Sequence, residues 1–153
     1  MTVWMTAALA AVMVGQESPE PVMSELRKLV GGTWKNGPVE QEFTEEKGTI
    51  RGLVVVARGT PNEFKLRPTL GWDDRAKKVF YLDDHGGKSV YFGHIVKNGD
   101  RLFWEFESIV GTPGKWRLWT WFAGPDEYCS KMDEWKDGKW STVSKLSTLK
   151  RSR

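Results

Sequence analysis

A chain of 153 residues with 28% charged residues and a net charge of +3 fits one domain, long enough to bury about two thirds of its unfolded surface. Its 23 basic and 20 acidic residues are interspersed, which excludes a disordered polyelectrolyte and the concentrated basic footprint of a nucleic-acid binder. The single cysteine excludes an intramolecular disulfide, and the nine tryptophans are the compositional anomaly. Buried, each covers roughly 150–250 Å², so together they can fill much of a small barrel.

Met5 to Val14 is an uncharged apolar run of signal-peptide length, too short to span a bilayer. It leads into Gly15 and the polar Gln16-Glu17-Ser18-Pro19-Glu20-Pro21, although no Lys or Arg precedes it and no Ala-x-Ala closes it. Residues 1–21 therefore read as a signal peptide and linker, and residues 22–153 as the domain. A helix packed on the domain is the alternative for the apolar run. Export implies a secreted or periplasmic protein. Ser24 is placed to cap a helix of about two turns whose Leu26, Leu29 and Val30 share a face, with Met23 one turn earlier. Gly31 and Gly32 break it, and Trp34 opens the first strand.

From Trp34 onward the pattern alternates. Strands are expected near Val39–Thr44, Thr49–Arg58, Phe64–Trp72, Lys78–Asp83, Ser89–Lys97, Arg101–Ile109, Lys115–Ala123, Glu127–Lys136 and Trp140–Lys150. Turn residues separate them, and Asn98-Gly99 and Asp137-Gly138 are strong hairpin signals. Short, evenly spaced strands with no helix between them pair antiparallel in order, and closure removes the two exposed edges a long meander would leave. The expected fold is all-β: an antiparallel up-and-down β-barrel of about nine or ten strands with one short N-terminal helix.

Alternation also suggests the inward face. It gives Val90, Phe92, His94 and Val96 in one strand, Leu102, Trp104 and Phe106 in the next, and Phe64, Leu66, Leu70 and Trp72 earlier. The strand Lys115–Ala123 has aromatic residues on both faces, Trp116 and Phe122 against Trp119 and Trp121 with Arg117, and its phase stays undecided. Pro68 is expected to mark a bulge or an edge.

Gly32-Thr33-Trp34 after a short helix resembles the Gly-x-Trp signature of lipocalins and their calycin-type relatives. The later order is similar to a family of uncharacterised bacterial secreted proteins with a lipocalin-like barrel. The matching pieces are Gly71-Trp72-Asp73, Val79-Phe80-Tyr81, Asp83-Asp84-His85-Gly86-Gly87, Gly93 and Lys150-Arg151. The resemblance implies a barrel with an internal cavity and no assigned chemistry. It also implies an arginine stacked on Trp34 at the barrel base, either Arg117 or Arg151. Two features depart from better-known members. Nothing after the last strand forms the C-terminal helix of true lipocalins, and Lys35-Asn36-Gly37-Pro38 replaces the glycine-rich continuation of nitrobindin-like haem barrels.

His94 on an apolar face can orient a ligand or hold a metal or haem, against the plainer reading of a satisfied core residue. Asp83-Asp84-His85-Gly86-Gly87, with Asp73 and Asp74, is oxygen-rich enough for a cation, but its spacing fits no known ligand set and a backbone-serving turn explains it as well. Cys129 has no evident base, and Glu105 and Glu107 share a face that reads as solvated. There is no phosphate loop, His-Glu-x-x-His or nucleophile elbow.

The function expected is non-catalytic binding of a small, mostly apolar molecule inside the barrel. Phe92, His94, Trp104, Trp119 and Tyr128 are the ligand-facing residues, and Gly32, Trp34 and Arg117 are structural. A small enzyme using His94 with a carboxylate as acid and base, and a structural barrel filled by its own side chains, are the alternatives. The residues name no cofactor. The partner expected is a small hydrophobic molecule, with no nucleic acid and no stable membrane insertion once a signal is removed; oligomeric state stays open.

Overall fold

Two prolines start the helix. Pro19 occupies the N-cap and Pro21 the first turn of α1 (Glu20–Arg27), where a fixed φ and a missing N–H cost nothing. Ser24 therefore sits inside the helix, its hydroxyl on the Pro21 carbonyl, and not at the cap expected for it. The computed structural model describes residues 18–152. The apolar run Met5–Val14 lies outside the described residues.

Ten strands follow: β1 (Thr33–Asn36), β2 (Val39–Glu46), β3 (Thr49–Val56), β4 (Phe64–Asp73), β5 (Lys78–Asp84), β6 (Val90–Asn98), β7 (Arg101–Val110), β8 (Lys115–Gly124), β9 (Glu127–Lys136) and β10 (Lys139–Ser152). Every sequential pair is antiparallel, and β1 also pairs with β10, closing the barrel. The expected all-β up-and-down barrel is the observed one. At Asp137-Gly138 both residues have positive φ, 52° and 76°, the twist a two-residue hairpin needs.

Register separates the inner wall from the outer. One inward row runs Trp72, Val79, Ile95, Trp104, Leu118 and Met132. The next runs Leu70, Tyr81, Gly93, Phe106, Trp116 and Glu134. Ile95, Val79 and Leu70 belong to the buried core, which fixes the phase of β4 to β9 together.

This phase corrects the expectation for β6. Phe92, His94 and Val96 face outward; Tyr91, Gly93 and Ile95 face in. Gly93 has no side chain to signal its direction, and its inward neighbours Tyr81 and Phe106 meet 5.0 Å apart. A Cβ on Gly93 would lie 2.0 Å from the Glu105 carbonyl oxygen, so only glycine fits. In β8 the undecided phase resolves with Trp116, Leu118, Thr120 and Phe122 inward and Arg117, Trp119 and Trp121 outward. Pro68 marks neither a bulge nor an edge. β4 is paired on both sides and its register with β3 does not shift; the rungs opposite Arg67 and Pro68 are simply missing. There the Arg67 N–H bonds the Asp83 carboxylate instead.

α1 plugs one end. Val22, Met23 and Leu26, with Leu29 after the helix, are buried in the core. Ion pairs from Arg27 to Glu45 (2.9 Å) and from Lys97 to Glu25 (3.1 Å) tie the plug to β2 and β6. No helix among the described residues is long and apolar enough to cross a membrane.

Candidate functional site

The plugged end is built on Trp34, fully buried, with its indole N–H on the Leu29 carbonyl at 2.8 Å. Phe122 and Tyr128 meet it edge-on at 5.9 and 6.0 Å. The Arg151 guanidinium lies 4.3 Å over its ring and donates to the Lys28 carbonyl. Gly32, at φ 73°, lets the chain pass beside Arg151, where a Cβ would stand 2.9 Å from the Ser152 carbonyl oxygen. Arg117 has no part in this floor. It sits on the outer wall, stacked 4.6 Å over Trp140 and bonded to Asp133. Sequence spacing left two arginines for the position, and β10 closing onto β1 brings Arg151 opposite Trp34.

Above the floor the inner wall changes character. Near α1, Ile50 and Leu70 (0% exposed) and Val79 and Ile95 (1%) are sealed, while Trp72 and Phe122 at that end are partly buried. Toward the other end Tyr81, Tyr91, Phe106, Trp116, Leu118 and Met132 also face the axis, yet each is only half-buried. The inner wall is thus fully buried around the α1 plug and only partly buried in the other, open half of the barrel.

The open half has two unlike walls. On β5 to β8 a belt of rings climbs from floor to mouth: Trp104 to Tyr81 (5.5 Å), Tyr81 to Phe106 (5.0 Å), and Tyr91 to both Phe106 (6.3 Å) and Trp116 (5.1 Å). Opposite, β9, β10, β1 and β2 present Ser130, Ser144, Ser147, Asn36 and Gln41, with Asn36 donating to Ser147 at 2.8 Å. The floor of the belt is locked, because the Trp104 indole N–H bonds the buried Thr120 hydroxyl at 2.9 Å. Burial pushes the Tyr128 phenol beneath it above its ordinary range, partly opposed by a bond to Thr120.

At the mouth a buried carboxylate organises the loop. Asp83, 2% exposed, accepts from the Tyr81 hydroxyl (2.8 Å), the Arg67 N–H (2.9 Å) and His85 Nε2 (3.2 Å). Burial first, and then the Asp83 charge, push the Tyr81 phenol well above its ordinary range, so it stays a donor. His85 lies 4.6 Å from Tyr91, which joins the loop to the belt.

No family model, curated protein or solved structure matches the chain. The site therefore rests on its own geometry.

Of the five residues expected to meet a ligand, Trp104 and Tyr128 face inward, at or below the floor of the open half. Phe92, His94 and Trp119 are on the outer wall. His94 does meet a carboxylate, Asp73 at 3.2 Å, beside an outer-wall crater of about 250 Å³ that includes Glu105 and Glu107. The Ala76 backbone N–H first, then the His94 imidazole and the Arg75 backbone N–H, hold Asp73 below the usual carboxylate range. Asp73 and Asp74 lie at the plugged end, and Asp83 and Asp84 at the mouth. The oxygen-rich cluster is thereby split, and Asp73 and Asp84 cap their own turns. Among the described residues no group of three or more His, Cys, Asp or Glu is placed to hold a metal ion. Cys129 is buried on the outer wall against Trp121 and Thr148. Sequence reasoning missed Tyr81 and Tyr91 as site residues and had Asp83 and His85 only within an oxygen-rich loop; the signal available was the Tyr-x-Asp-x-His spacing, which period-two alternation aligns on one side of the chain.

The outer wall offers a pH test independent of any ligand. Asp133 is buried and accepts from Arg117 (2.8 Å) and Thr142 (2.9 Å), and the Arg117 guanidinium holds it below the usual carboxylate range against desolvation. A folded pKa below the unfolded one stabilises fully above about pH 3.9, and that stability is lost as pH falls through the folded value. Between about pH 5 and about pH 2, the urea midpoint of the wild type is expected to fall further than that of Asp133→Asn.

Proposed function

We propose that this protein is a non-catalytic carrier that holds a small, mostly apolar molecule in the open half of its barrel. The supporting observation is the change in exposure along the axis, from sealed residues at the α1 end to half-buried aromatic residues beyond Trp104. A ligand lying on the belt from Tyr81 to Trp116 removes apolar surface from water at roughly 25 cal/mol per Å². The serines and amides opposite offer hydrogen bonds that fix its orientation. The Gly32-Thr33-Trp34 start and the Arg151 stack on Trp34 support kinship with calycin-type barrels, and the apolar run Met5–Val14 supports export to a secreted or periplasmic location.

Titration with an environment-sensitive apolar dye tests this reading. Saturable binding near one dye per chain is expected, with quenching of tryptophan fluorescence. Ser144→Phe places a ring in the lumen from the polar wall and is expected to weaken binding at least roughly tenfold, with far-UV circular dichroism and thermal midpoint retained. Equal dye binding by the two proteins would place the dye outside the lumen and refute the proposal.

A further inference from the structure

The rim of the open end has a notch. The β4–β5 ladder starts at Arg67–Asp84, so Phe64, Lys65 and Leu66 run past the end of β5 and pair only with β3. The β5–β6 loop faces this free edge across a cleft of about 550 Å³, lined by Lys65, Arg67, His85, Lys88, Ser89 and the half-exposed Phe64.

The charges in the cleft are unbalanced. Its carboxylate, Glu63, is committed to the Gly59 N–H (2.7 Å) and to Lys65 (3.3 Å). Asp84, across from Arg67, accepts from the Gly87 N–H at 2.6 Å. Arg67 and Lys88 have no ion-pair partner among the described residues. A guanidinium fork and an ammonium on one cleft complement a carboxylate or phosphate group. The cleft reaches from the outer face of β4, where Lys65 and Arg67 stand, to the rim, where His85 on its wall packs against Tyr91 at the top of the aromatic belt. An apolar chain lying on the belt reaches the mouth where these cations stand.

We infer that the ligand is an anionic amphiphile, with its apolar tail on the belt and its carboxylate or phosphate head in the notch between Arg67 and Lys88. This deepens the carrier reading and rests on it. The rim takes the head because it combines cations that have no ion-pair partner among the described residues with a strand edge that β5 leaves unpaired.

Calorimetric titration with dodecyl phosphate, dodecanol, dodecyltrimethylammonium and inorganic phosphate tests the inference, using the wild type and an Arg67→Ser/Lys88→Ser double variant. Dodecyl phosphate is expected to bind the wild type about tenfold tighter than dodecanol, with the advantage shrinking in high salt. The double variant is expected to lose that advantage while binding dodecanol as before and keeping its thermal midpoint. Inorganic phosphate alone is expected to bind far more weakly than dodecyl phosphate. Equal affinity for all three head groups, or a preference for the ammonium, would overturn the inference and leave the carrier reading standing. Inorganic phosphate binding as tightly as dodecyl phosphate would make the notch a free-anion site, which also overturns it. If no amphiphile binds, the carrier reading falls and the inference with it.

Discussion

Trp34→Ala is expected to lower the free energy of unfolding by roughly 3–5 kcal/mol, the range for removing a large aromatic side chain from a packed core. Trp34 has no exposed surface, so the loss includes its full transfer term and a cavity that the closed β1–β10 seam cannot collapse. Two further losses add to it. The Leu29 carbonyl, where the plug meets β1, loses its indole donor, and the Arg151 guanidinium loses the ring it stacks on. Because total stability is typically about 5–15 kcal/mol, the variant would sit close to unfolding at room temperature. Urea denaturation is the measurement, with the midpoint falling and the slope unchanged. Trp135→Ala is the contrast: that side chain is 45% exposed on the outer wall and should change stability by less than about 1 kcal/mol. Comparable costs for the two tryptophans would mean that the plugged end is not the floor of the barrel.

The second large effect is expected at Asp83. Asp83→Ala leaves the Tyr81 hydroxyl and the Arg67 N–H without their acceptor, at about 1–3 kcal/mol for each buried donor left unpaired. A loss of about 3 kcal/mol is the expected result, lessened if lumen water reaches Tyr81. A double-mutant cycle with Tyr81→Phe separates these terms. Removing the hydroxyl as well should recover part of the loss, because the donor stranded by Asp83→Ala is then gone. Additive losses would show that the Tyr81–Asp83 bond does not organise the mouth. The loop Asp84 to Ser89 is expected to loosen in Asp83→Ala, seen as faster amide exchange at His85, whose N–H bonds the Ser89 carbonyl.

The barrel was legible in the sequence because its signals are local. Alternation marked β2 through β10 to within a few residues, and glycine with aspartate or asparagine marked the hairpins. β1, four residues long, carried only the Trp34 signal. Its partner β10 lies more than a hundred residues away, so nothing near it in sequence showed that the seam closes. The inward faces of β4 and β7 were legible because charged residues occupy their other faces, Lys65 and Arg67 in one strand and Arg101, Glu105 and Glu107 in the other. β6 was not, because both of its faces are apolar.

The sequence by itself determined that this chain makes short antiparallel strands around a tryptophan floor, since strand period, turn chemistry and the Gly32-Thr33-Trp34 start are properties of adjacent residues. Tertiary structure alone decided which side of β6 and β8 meets the axis and which arginine covers Trp34. Period-two alternation defines two faces without saying which is inside. Only the register with neighbouring strands, Ile95 between Val79 and Trp104, and the pairing of β10 with β1, settle it. That choice moved the candidate site from Phe92 and His94 to the rings and the buried Asp83 behind them.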